Sequence, residues 1–124
     1  GCQGVPRRRG EGVKPRRPRV SEKTVEAAVI RAYVAFGCQV YKLSQPRHTM
    51  QTPGLPDLYV MCPRMHHAWW HETKAPGGKL RPSQVAFRAL AEACDETVIV
   101  GGLGEARAQL ERIGLALSDG TVAA

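Results

Sequence analysis

The sequence predicts an α/β fold in which helices sandwich a small mixed β-sheet. Three observations carry that reading. Apolar residues recur at helical spacing between positions 25 and 36. Short stretches with strand-like alternation follow one another between 39 and 75. A fully apolar, β-branched run at 97–100 then separates two further helical segments. A chain of 124 residues, 43% hydrophobic, is long enough for one hydrophobic core and ordinary in composition, so a single domain is expected. No apolar run approaches the roughly 20 residues that span a bilayer. The basic N-terminus has no apolar stretch behind it, which argues against a secretory signal.

Residues 1–20 are rich in Gly, Pro and Arg and have little to bury, so they read as a disordered basic tail, with the folded domain at 21–124. The tail carries seven basic side chains against Glu11, whereas residues 21–124 carry eleven basic and ten acidic groups. The formal charge of +7 is therefore mostly the tail's. The tail can add phosphate contacts through counterion release, or it can simply be solvated.

Ser21 is a good N-cap, with an acid in the turn behind it, and Val25, Ala28, Val29, Ala32, Tyr33 and Phe36 form one apolar face. Gly37 supplies the stop, so the first helix is expected over about 22–36. Gln39 to Ser44 alternates like a strand. Residues 45–56 hold three prolines and a glycine and read as a long irregular loop. Asp57 opens a second strand at 58–62. A turn containing Pro63 leads to a third strand over about 68–75, which the Pro76, Gly77, Gly78 loop ends. A second helix is expected from near Ser83, after Pro82, to about Cys94. Thr97 to Val100 reads as a buried strand. The glycines at 101, 102 and 104 turn the chain into a last helix of about 104–113, beyond which the sequence is uninformative. The order α-β-β-β-α-β-α suits an α/β sandwich. Four cysteines, at 2, 38, 62 and 94, form no closely spaced pair; they read as reduced, mostly buried thiols in an intracellular protein.

The chemistry concentrates in Gly54-Leu55-Pro56-Asp57-Leu58 and in Trp70-His71-Glu72-Thr73-Lys74. For a hairpin centred near Met65, the residue facing Asp57 is about residue 73. Glu72 and Lys74 share a face and flank that point, and diagonal neighbours across a sheet lie roughly 7–8 Å apart. Asp57, Glu72 and Lys74 can thus converge. Two close carboxylates repel unless a cation neutralises them, and hard oxygen donors suit Mg²⁺ or Mn²⁺. Such an ion can orient a scissile phosphate, acidify a water and offset developing charge, while a lysine positions the water or the phosphate. Phosphodiester hydrolysis asks for these parts together. The competing reading is an exposed hairpin with ordinary surface charges.

Pro56-Asp57 followed by Glu72-Thr73-Lys74 on the next strand resembles the PD-(D/E)XK nuclease signature. The wider context is Ser21 to Glu26 opening a helix, Gly54 to Leu58, Glu72 to Gly78, then Leu80-Arg81-Pro82-Ser83-Gln84. That order is similar to the VRR-NUC branch, found as stand-alone phage proteins and as domains of larger DNA-repair enzymes, over about residues 21–112. The resemblance implies a restriction-endonuclease-like core and a Mg²⁺- or Mn²⁺-dependent endonuclease acting on DNA. It implies that Asp57 and Glu72 bind the metal with the main-chain carbonyl of Thr73, and that Lys74 is the catalytic lysine. It implies that Gln84 lies beside the site and that a first-helix acid joins it, for which Glu22 and Glu26 both offer themselves. By analogy, branched or junction DNA, a homodimer and a cytoplasmic setting in a prokaryotic or phage-infected cell are expected. The alternative is a non-catalytic nucleic-acid-binding module, or an accessory subunit of a larger nuclease or helicase.

Arg47 and His48, ahead of the Pro-Asp segment, and Lys79 and Arg81, after the catalytic strand, are candidates for phosphate contact; each reads equally as a solvated loop cation. Cys62 and His66 have a zinc-like gap, but a closed site needs four ligands, and His66 and His67 fit a solvated turn better. His71 precedes Glu72 and is expected on the opposite face, in the core or toward a partner. Trp69 and Trp70 are expected on opposite faces, one under a helix and the other at an interface or under a loop.

Overall fold

Ser21 caps the first helix as its sequence suggests: its side chain accepts the Thr24 N–H at 3.1 Å, and α1 runs Glu22–Ala35. Val25, Val29 and Tyr33, four residues apart, are its buried stripe. It ends in a Schellman motif. Gly37, at φ +99°, and Cys38 donate to the carbonyls of Val34 and Tyr33. These observations come from a computed structural model that describes residues 20–43 and 52–118, without the side chains of 115–118. The expected disordered tail at 1–20 falls outside the described residues except for Val20, as does most of the expected loop at 45–56.

The remaining elements are β1 (Gln39–Lys42), β2 (Leu58–Cys62), a 3-10 turn (Pro63–Met65), β3 (His67–Thr73), α2 (Pro82–Ala93), β4 (Val98–Gly101) and α3 (Leu103–Ser118). The four strands lie in the order β1-β2-β3-β4, with the first two pairings antiparallel and β3–β4 parallel, so the sheet is mixed as expected. β3 ends at Thr73 and not at 75. The last helix is longer than expected, running through Gly114 to Ser118, because one glycine weakens a helix by only about 1 kcal/mol when leucine and alanine follow it.

Alternation along β3 sorts its side chains. Trp69, His71 and Thr73 face one side with Leu58, Val60 and Cys62, and are buried there with Val25, Val29 and Tyr33 of α1 and Ala106, Leu110 and Ile113 of α3. Trp69 meets Tyr33 edge to face at 5.4 Å; removing such a buried tryptophan costs roughly 3–5 kcal/mol. Trp70, on the other side, is not left to an interface or loop. It packs between Tyr59 and Phe87 under α2, and its indole N–H donates to Glu96 at 2.6 Å. Of the described cysteines, Cys38 and Cys62 are buried as expected, whereas Cys94, just past α2, is exposed; Cys2 lies outside the described residues. No described helix is long and apolar enough to cross a membrane.

Candidate active site

The hairpin between β2 and β3 decides what Asp57 faces. Pro63–Met65 form a 3-10 turn and His66 adopts a left-handed conformation (φ 59°), so β3 already starts at His67. Leu58 consequently pairs with His71, and the same register sets Asp57 across from Glu72, one residue away from the expected position 73. The shift brings the two acids directly opposite one another on one face. Lys74 follows two residues later on that face.

Each acid is held from a different side. The Thr73 N–H donates to Asp57 Oδ2 at 2.8 Å. Main-chain N–H and C=O of one strand residue point the same way, so the Thr73 carbonyl also faces the β2 side. Gln84 donates through Nε2 to Glu72 Oε2 at 3.0 Å. The amide cannot flip, because its Oε1 accepts the Arg81 N–H at the start of α2, at 2.8 Å. Gly54 lets the chain come close: it has φ +86°, and a Cβ there would lie 2.3 Å from the Ser83 carbonyl oxygen, so the turn before Asp57 rests directly on the first turn of α2. Lys74 Nζ lies 3.7 Å from Glu72 Oε2 and 3.9 Å from Glu22 Oε2.

The electrostatics follow from burial. The Glu72 carboxyl, only 4% exposed, is pushed up to about 7 by desolvation and by Asp57 beside it, against the pull of Lys74. Asp57 is raised as well: desolvation, together with the charges of Glu26 and Glu22, outweighs the hydrogen bond from Thr73. Glu72 Oε1 is buried without a hydrogen-bond partner. Asp57 and Glu72 are thus the residues that could hold a hard cation. Among the described residues no group of three or more His, Cys, Asp or Glu side chains is arranged to hold a metal, and the Cys62–His66 zinc reading gains no support.

The two first-helix acids occupy different positions. Glu26 is largely buried, with its side chain 14% exposed, and pairs with Lys42 at 3.3 Å; Glu22 is 53% exposed and reaches Lys74. Both act on the Asp57 charge, Glu26 the more strongly. Lys42 is the residue that sequence reasoning missed. Its signal was weak, a single cation at the end of a strand. Arg81 and Lys79 are exposed; Arg81 meets the site through its main chain and lines a cavity of about 280 Å³ with Asp57 and Gln84. A larger cleft of about 600 Å³ opens on the other side of Lys74, between α1 and the β4–α3 turn. Arg47 and His48 lie outside the described residues.

His71 is fully buried on the core side of β3, as its position predicts. Its Nε2 lies 3.0 Å from the Gly101 carbonyl and its Nδ1 2.6 Å from the Tyr33 hydroxyl. A carbonyl only accepts, so Nε2 carries the proton and Nδ1 accepts from Tyr33 in the neutral ring. Burial favours that neutral ring and also raises the Tyr33 hydroxyl well above its ordinary value.

A mixed sheet with an Asp at the entry to one central strand and a Glu-x-Lys at the end of the next, flanked by helices, defines the class of fold. No protein-family model and no curated protein matches the chain. Among solved structures it is similar to a VRR_NUC domain, with 24% identity over 78% of this chain and 94% of that one and a TM-score of 0.56. The likeness shows that the chain has the fold of a VRR_NUC domain, the fold expected from its sequence.

Proposed function

We propose that the chain is a member of the VRR-NUC family and a metal-dependent endonuclease that hydrolyses DNA phosphodiester bonds. The observation that carries this reading is the convergence of Asp57, Glu72 and Lys74 on one face, with Glu72 Oε1 buried and unpartnered. An orphaned carboxylate oxygen beside a second carboxylate is a poor arrangement for stability alone. It fits a hard divalent cation, Mg²⁺ or Mn²⁺, which Asp57 and Glu72 would hold with help from the Thr73 carbonyl. When bound, the cation supplies Lewis acidity toward the phosphate and acidifies water.

The chain's own residues do the rest. Gln84 keeps Glu72 turned into the site, and Thr73 does the same for Asp57. Lys74, with its side chain 11% exposed, offers a fixed ammonium to orient the attacking water or stabilise charge building on the phosphate. Glu26 and Glu22 bring a further carboxylate to the edge of the site. Glu26 is the better placed of the two, because it is the more buried and the more strongly felt by Asp57. Lys42, Lys79 and Arg81, with Arg47 and His48, are proposed phosphate contacts.

Among the described residues no helix carries the clustered Arg, Asn or Gln side chains of a groove reader, which favours structure-selective cutting of branched or junction DNA over sequence reading. A homodimer is proposed as the working form. Tyr41, Met61, Val85 and Leu90 leave large apolar side chains exposed on the side of the sheet that α2 covers.

Labelled duplex, junction and flap DNA incubated with Mg²⁺, Mn²⁺ or EDTA tests the proposal. Expected is metal-dependent cleavage that falls about a hundredfold or more in Asp57→Ala and Lys74→Ala. Cleavage unchanged in both variants would mark a contaminant. Salt-sensitive binding without cutting, abolished on deleting residues 1–20, would favour a binding module instead.

A further inference from the structure

We infer that His71 is a positioning residue for Lys74, acting from the core side of the sheet through the carbonyl of Gly101. The inference rests on the nuclease reading for what Lys74 does, and on geometry for how it is held. Lys74 is the first residue beyond β3, where the ladder runs out. Its N–H donates to the Gly101 carbonyl at 3.1 Å, the bond that fixes where its side chain leaves the sheet.

Gly101 is a poor anchor by itself. It has φ +136°, and a Cβ there would sit 2.5 Å from the Glu105 carboxylate, which is itself engaged by the Gly102 N–H at 2.8 Å. Only glycine fits, and glycine leaves the carbonyl direction free. His71 removes that freedom. Its Nε2–H takes the second lone pair of the same oxygen, and the Tyr33 hydroxyl on α1 holds the ring from behind. One buried imidazole thereby ties α1, β3 and β4 together at the point from which Lys74 emerges. Any buried imidazole needs both ring nitrogens satisfied; what sets His71 apart is that one of them meets the carbonyl that the Lys74 N–H already uses.

Side-chain length separates the two roles. Asparagine can reproduce Nδ1 toward Tyr33 and falls short of Gly101, whereas glutamine can place an N–H near the former Nε2. The wild-type protein is assayed first, since a chain that never cuts fails as a nuclease whatever His71 does. In a cutting protein, His71→Asn is expected to lower kcat about tenfold or more with KM within about twofold, and His71→Gln to stay within about threefold of wild type. Hydrogen exchange by NMR gives a readout independent of activity. The Lys74 amide is expected to exchange faster in His71→Asn and in Tyr33→Phe, with amides in the middle of β2 unchanged. Equal kcat losses in the Asn and Gln variants, or an undisturbed kcat in His71→Asn, would overturn the inference. Should His71→Asn not fold, Tyr33→Phe decides: an unaltered Lys74 amide in that variant also overturns it.

Discussion

Burial and the neighbouring Asp57 let the folded chain keep a proton on Glu72 up to about pH 7, whereas an unfolded chain releases it near the ordinary value of 4.5. Between those values the folded state binds more protons, so without divalent ions stability falls as pH rises through the window; Asp57, also raised, acts in the same direction. Glu72→Gln removes the charge, and in EDTA at pH 8 it is expected to raise stability by about 1–3 kcal/mol, with cleavage abolished. Thermal unfolding from pH 5 to 8 checks this; a variant less stable than wild type at pH 8 would refute the strain assigned to Glu72. Gln84→Ala should act differently. It leaves the Arg81 N–H and Glu72 Oε2 short of partners and is expected to cost about 1–3 kcal/mol, besides lowering kcat. At this scale the sequence was most legible where chemistry demands a short spacing. The two-residue step from Glu72 to Lys74 places both on one face of any strand. The Glu26–Lys42 pair was not legible, because it depends on how α1 lies across the end of β1.

Helix starts and stops were legible because their signals are local: Ser21, Pro82 and the Gly37 stop act on the backbone next to them. The hairpin register was not. It turns on His66 taking a left-handed conformation, which few non-glycine residues adopt, and one residue of slip changes which group faces Asp57. The packing of the turn at Gly54 on the first turn of α2 was equally hidden, since it joins segments nearly thirty positions apart. It yields a sharp prediction. Gly54→Ala puts a methyl group against the Ser83 carbonyl at a positive φ, and is expected to cost about 2 kcal/mol or more, with a fall in melting temperature of roughly 8 °C or more and a loss of cleavage. A melting temperature equal to wild type would show that the turn is free to move off α2.

For the whole molecule, the apolar core lies against α1 and α3, Asp57 and Glu72 face the side of α2, and Lys74 reaches Glu22 of α1 at the end of the sheet. Charge is divided as well, most of the excess lying before residue 21. Deleting residues 1–20 is therefore expected to weaken DNA binding at low salt. It should also flatten the salt dependence by about 0.9 in log–log slope for each phosphate that the tail neutralises, while leaving the cleavage rate at saturating DNA unchanged. An unaltered slope would assign phosphate binding to the folded domain. The fold class was legible from the order of periodic segments alone, because an α-β-β-β-α-β-α string leaves few ways to bury every apolar face.

β3 also sets rules for chain length. Its neighbours on both sides are paired in register, and its two faces do unrelated work, so one residue added between Trp69 and Glu72 would exchange them. With the first half of β3 held in place, an addition ahead of His71 would bring its imidazole into the carboxylate site and turn Glu72 into the core. An addition in the loop at 76–80 would only lengthen a connection, whereas one at Pro63–His66 alters the turn that sets the β2–β3 register. Insertional scanning is expected to divide the chain accordingly into rigid spacings and tolerant joints, with the rigid stretch running from the Pro63–His66 turn to the end of β3.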